Sequence, residues 1–79
     1  MRIDKFLKVS RLIKRRTVAA EACSKGRVSA NEKTVKPSYD VKVGDVIAVQ
    51  FGERQVRVEV LSLNENTSKA DASGMYREI

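Results

Sequence analysis

Apolar residues recur at helical spacing along the first thirteen positions. Asp4 can cap a helix running through KFLKVSRLI, residues 5–13, because its carboxylate can accept from free backbone N–H groups. On a helical wheel Phe6, Val9 and Ile13 fall together, Leu7 and Leu12 flank the boundary, and Lys5, Lys8, Arg11 and Arg15 fall on another side. The stripe is imperfect, so the helix is expected to loosen near Lys14. Thr17 can cap a second helix, VAAEACSK, residues 18–25, in which Ala19, Ala20, Ala22 and Cys23 are small packing residues. Gly26 stops it by supplying the left-handed conformation that ends many helices. Two helices joined only by residues 14–16 must fold back on each other.

After Gly26 the period shortens to two. RVSAN reads as a short strand, Asn31-Glu32-Lys33 as a turn, and Thr34-Val35 as the start of a return strand that Pro37 and Ser38 break. VIAVQF, after the Gly44-Asp45 turn, is rich in β-branched residues. Gly52-Glu53-Arg54 turns it into QVRVEVLSL, where Val56, Val58 and Val60 alternate with charged residues, so the two runs make an antiparallel hairpin. Both phenylalanines, Phe6 and Phe51, read as core. From Asn64 the chain turns polar and closes on MYREI, a segment expected to be loose or to dock weakly through Met75 and Tyr76. The expected fold is α+β: two N-terminal helices packed on a small, mostly antiparallel sheet. Residues 1–63 form one domain in this reading, and 64–79 a polar C-terminal tail.

Charge changes the picture. The 79 residues carry a net charge of +6, with 16 cations against 10 acids. Seven cations (Arg2, Lys5, Lys8, Arg11, Lys14, Arg15 and Arg16) and one acid, Asp4, fall in the first sixteen residues, which leaves nine of each elsewhere. The whole excess is N-terminal, and a basic tract on a balanced domain suggests a polyanionic partner. The densest cluster sits at the joint between the helices. Backbone N–H groups opening the second helix favour phosphate there, so Arg15, Arg16 and that helix end form an anion-binding corner. Glu21 is available as a competing partner for one of the joint cations.

Catalysis has few candidates. There is no histidine, and Cys23 is the lone cysteine, which excludes an intrachain disulfide and a multi-cysteine zinc site. Cys23 reads as a buried small hydrophobe. No run of about 18 apolar residues offers a membrane span, and no signal segment opens the chain. The reading is non-enzymatic, cytoplasmic, without cofactor and without membrane contact.

The succession Arg2-Ile3-Asp4, Leu7, Arg16, Ala19, Gly26-Arg27-Val28, Asn31, Pro37 and Val43-Gly44-Asp45-Val46 resembles the S4-type RNA-binding domain over about residues 2–50. In that family two helices and the following turn bind structured RNA. Free-standing chains of this size resemble the fifteen-kilodalton heat-shock type, and RIDKFLKVSRLIKRRTVA resembles its relatives in ribosome-associated quality control of Gram-positive bacteria. The resemblance implies a monomer that docks on an obstructed 50S ribosomal subunit through large-subunit rRNA and peptidyl-tRNA. There it would support a second factor that extends the stalled chain. A heat-shock-type role in rescuing 50S subunits without tailing is the alternative, and a basic protein-interaction module is another. The implied RNA-binding set is Arg2, Asp4, Lys5, Lys8, Arg11, Lys14, Arg15, Arg16, Thr17, Arg27 and Lys36. Arg16 matches the family's RNA-contacting position, while Asp4 acts as a cap or orients a neighbouring arginine. Many members carry Asn-Gly at the first turn where this chain has Asn31-Glu32, and proline where it has Val43. With four aromatic rings, a stacking platform fits less well than folded RNA read by shape and phosphate.

Overall fold

Helical segments come first and extended ones follow, as the periodicity predicts, in a computed structural model that describes residues 1–63 and 73–79. Two helices, α1 (Ile3–Val9) and α2 (Arg16–Ser24), precede β1 (Val28–Ala30), β2 (Lys33–Thr34), β3 (Val46–Phe51), β4 (Arg54–Val60) and β5 (Tyr76–Glu78). The strands form one antiparallel sheet in the order β2-β1-β3-β4-β5. Val28 lies opposite Val49, Ile47 opposite Val58, and Val49 opposite Val56, so one apolar face is assembled from three strands. The helices cover that face, and Ile3, Phe6, Leu7, Ile13, Ala19 and Cys23 complete the core.

Helix α1 is shorter than its hydrophobic stripe predicts. It stops at Val9 because the buried Ser10 hydroxyl donates to the Leu7 carbonyl at 3.3 Å and Arg11 turns left-handed at φ 65°. The Ile13 N–H then returns to the Leu7 carbonyl at 3.0 Å, which keeps the Ile13 side chain in the core although it has left the helix. Neither expected side-chain cap forms. Arg2 and Arg15 occupy the N-cap positions, and Asp4 and Thr17 lie inside the first turns. The stop at Gly26 matches the sequence reading. At φ 73° its N–H donates to Cys23 and that of Arg27 to Ala22, the paired bonds of a Schellman motif.

The Asn31-Glu32 turn closes a two-residue hairpin without a glycine. Asn31 and Glu32 stand at φ 51° and 72°, positive at both central positions as a type I′ hairpin requires. Asp45 locks this turn to the loop before β3. Its carboxylate accepts from Asn31 Nδ2 (3.1 Å), the Tyr39 hydroxyl (2.9 Å) and the Lys42 backbone N–H (3.0 Å), while Asn31 Oδ1 accepts from Val46 N–H (3.0 Å). Tyr39 in turn offers its carbonyl to Ile3 N–H at 2.8 Å, so the same loop anchors the start of α1.

Of the segment assigned to a polar tail, residues 64–72 lie outside the described residues. The MYREI end docks: Met75 is buried, and β5 pairs with β4, placing Tyr76 opposite Val60. Phe51 departs from its expected place in the core. It lies on the same face as Ile47 and Val49 but at the tip of the β3–β4 hairpin, where it stays 39% exposed.

Candidate nucleic-acid interface

The packing of α2 on α1 brings the Arg16 side chain to the first turn of α1, where Asp4 lies. Its side chain is only 4% exposed. Arg2 meets it in a fork, Nε to Oδ1 at 3.3 Å and Nη2 to Oδ2 at 3.1 Å. Arg16, from the first turn of α2, brings Nε to 3.5 Å from Oδ1, and the Lys5 backbone N–H donates to the same oxygen at 2.7 Å. One buried anion thus holds two arginines from different helices, with the arginine side chains still 53% and 46% exposed. Two guanidiniums on one carboxylate leave the corner with a net positive charge, facing solvent. A guanidinium fixed by a carboxylate on one edge presents its other donors in a set direction, which suits phosphate oxygens.

The remaining expected site residues surround this corner to different degrees. Lys14, Arg15 and Thr17 stand exposed along the joint and the opening of α2, whose first N–H groups receive no side-chain cap. Arg11 is exposed in the turn after α1, and Lys8 is exposed in that helix's last turn. Lys5 is half-buried. Lys36 shares an open groove with Arg2, lined also by Gly26 and Pro37. Arg27 lies across a different cleft, with Lys14. Glu21 does not compete for the joint: it pairs with Lys25 one turn along at 2.7 Å, and that hydrogen bond lowers its pKa. Cys23 is buried as expected, and burial pushes its thiol up to about 11, which favours the protonated thiol over the thiolate. Among the described residues no cluster of three potential metal ligands occurs, and no helix is long and apolar enough to cross a membrane.

Against the model of the S4 domain, residues 1–47 match, the stretch that holds both helices, their joint and the Asn31–Asp45 lock. The chain belongs to the S4-domain family. Over 76 residues it is 54% identical to a Bacillus subtilis protein named RQC P-site tRNA stabilizing factor, covering 96% of this chain and 88% of that one. A Streptococcus pneumoniae protein of the same name is 51% identical over 79 residues, covering 100% and 90%. The S4 architecture extends to Vibrio cholerae heat shock protein 15, whose solved structure is described as trimeric. It superposes with a TM-score of 0.92 at 28% identity, covering 100% of this chain and 81% of that one.

Sequence reasoning alone missed two features of this S4 domain's surface. One is the burial of Asp4 between two arginines, which no local pattern encodes because Arg16 arrives from another helix. The other is the exposed ring of Phe51, with Arg54 directly opposite it in the hairpin register. The signal for Phe51 was its position, last in the strand and next to the Gly52 turn.

Proposed function

We propose that this chain is a non-enzymatic RNA-binding factor of ribosome-associated quality control. It docks on the obstructed 50S subunit in the cytoplasm, as a monomer, touching large-subunit rRNA and peptidyl-tRNA while a tail-elongating factor extends the stalled chain. The observation that carries this reading is the Arg2–Asp4–Arg16 arrangement: two guanidiniums held by one buried carboxylate, in a chain whose joint carries further cations. The names of the 51% and 54% identical relatives support the P-site tRNA as one partner. The heat-shock-type alternative draws on a fold likeness at lower identity, 28%.

Docking is electrostatic at the corner. Arg2 and Arg16 hold phosphates, Arg11, Lys14 and Arg15 extend the contact along the joint, and Lys5, Lys8, Thr17, Arg27 and Lys36 add weaker ones. Gradient sedimentation tests it. The protein should co-migrate with 50S particles and release on RNase treatment. Arg16→Ala should weaken that binding tenfold or more without unfolding the domain, since a charged hydrogen bond contributes about 1.5–3 kcal/mol. Co-migration that survives RNase, or is indifferent to Arg16, would remove RNA docking from the reading. Loss of C-terminal tails in cells lacking the protein separates the quality-control role from general 50S rescue.

A further inference from the structure

An apolar cleft opens beside the cationic joint, between the start of α2 and the β3–β4 hairpin tip. Leu12, Ile13, Val18 and Phe51 line it, with Lys14 and Arg27 among its walls, and it encloses about 430 Å³. Phe51 and Val18 are 39% and 49% exposed, large apolar surfaces that the fold leaves uncovered. A second, adjoining groove shares Leu12 and Phe51 and adds Arg11 and Arg54. Glu78 is the one acid among the described residues lining either space.

We propose that this cleft takes one unstacked base of the bound RNA, laid against the Phe51 ring, with its flanking phosphates on Lys14, Arg27, Arg11 and Arg54. The proposal rests on the RNA-binding reading and adds to it a contact that reads unpaired nucleotides. Charge complementarity selects the occupant. Two adjoining apolar grooves that share Leu12 and Phe51, with two cations on each, match a nucleotide, which presents a planar base between two anionic phosphates. A second copy of this chain would bring another net charge of +6 against those cations. Lys14 of this cleft lies two positions before Arg16 of the corner. Its volume lies within the range of sites that enclose small planar ligands. A single ring is not a platform for a long single strand. It is suited to one base turned out of a loop or bulge, while the corner grips the adjoining stem.

The test compares two RNA probes with equal numbers of phosphates: a hairpin carrying 2-aminopurine in its unpaired loop, and a fully paired duplex. Wild-type protein should change the 2-aminopurine fluorescence on binding the hairpin. Phe51→Ala and Phe51→Leu should both weaken hairpin binding by roughly 5- to 150-fold, the range for loss of one stacked base. Neither should alter duplex binding or the salt dependence of hairpin binding, whereas Phe51→Trp should retain wild-type affinity. Hairpin binding by Phe51→Leu at the wild-type level would overturn the proposal, since the ring would then be dispensable. Equal losses on hairpin and duplex would overturn it too. So would RNA binding unaffected by Phe51→Ala together with weaker binding to 50S particles, which would mark a protein occupant. Failure of the wild-type chain to bind either probe or 50S particles would instead overturn the RNA-binding reading beneath it.

Discussion

Asp4 sits in the most cationic part of the chain, and a count of charges alone says its removal should strengthen binding to a polyanion. The geometry says the reverse. Without the carboxylate, Arg2 and Arg16 repel each other and lose the anchor that sets their direction. Asp4→Asn, nearly the same in shape, is therefore expected to weaken 50S binding about tenfold although it raises the net charge, and to cost about 1–3 kcal/mol of stability. A binding titration paired with a denaturant melt checks both, and tighter binding would show that Asp4 does not orient the arginines. Glu32 makes the opposite kind of prediction. It holds φ 72° in an exposed turn, where a residue with a Cβ is disfavoured by about 1–2 kcal/mol. Glu32→Gly should raise stability by about 1 kcal/mol, read from the urea midpoint. At this scale the sequence was legible wherever a residue acts locally, as Gly26 and Cys23 do. Of the two readings of Asp4 the cap failed and the pairing with a neighbouring arginine formed. Arg16 as a second partner, like the exposure of Phe51, was hidden because it depends on where another element arrives.

The elements themselves follow from period and turn chemistry, with two exceptions that share a cause. The stripe Phe6, Val9, Ile13 continues past the helix because Ile13 is carried into the core by a turn. Ser10 and Arg11 break the backbone without breaking the apolar pattern. The pairing of β5 to β4 was equally hidden, since a three-residue strand acquires its identity from its partner. The Asn31–Asp45 lock shows what a spaced motif is for: one carboxylate joins the first hairpin turn, Tyr39 and the loop before β3. Burial alone would raise the pKa of Asp45, but bonds from the Lys42 N–H, Asn31 and Tyr39 outweigh it, and the net shift is downward. A depressed carboxylate contributes its stability above the unfolded pKa, about 3.9, and loses it as pH falls through the lower folded value. Melting temperature should therefore fall as pH drops below about 4, and less steeply in Asp45→Asn. That variant is expected to cost about 2 kcal/mol at pH 7 through weakened hydrogen bonds. An identical acid profile in variant and wild type would exclude Asp45 from the transition.

Across the whole molecule, charge is segregated by layer. The helical layer and its joint carry the N-terminal cations. On the far edge of the sheet Arg77 is already matched by Glu59, at 2.7 Å. If four to six of the seven N-terminal cations meet phosphates together, counterion release sets the salt dependence. The logarithm of affinity should fall with the logarithm of salt at a slope of roughly −3 to −5, using about 0.7–0.9 per phosphate contact. Arg16→Ala or Arg2→Ala should each flatten that slope by about one unit. Arg77→Ala should leave it alone, because its charge is already matched by Glu59 within the sheet. Titration against purified 50S particles across a salt series measures all three. A contact made chiefly through apolar surface would give a nearly flat line. Arg77→Ala flattening the slope as much as Arg16→Ala would show that net charge alone, with no built corner, draws the protein to RNA. A steep wild-type slope that only the joint and corner residues reduce would tie the asymmetry of the first sixteen positions to the Asp4-centred arrangement.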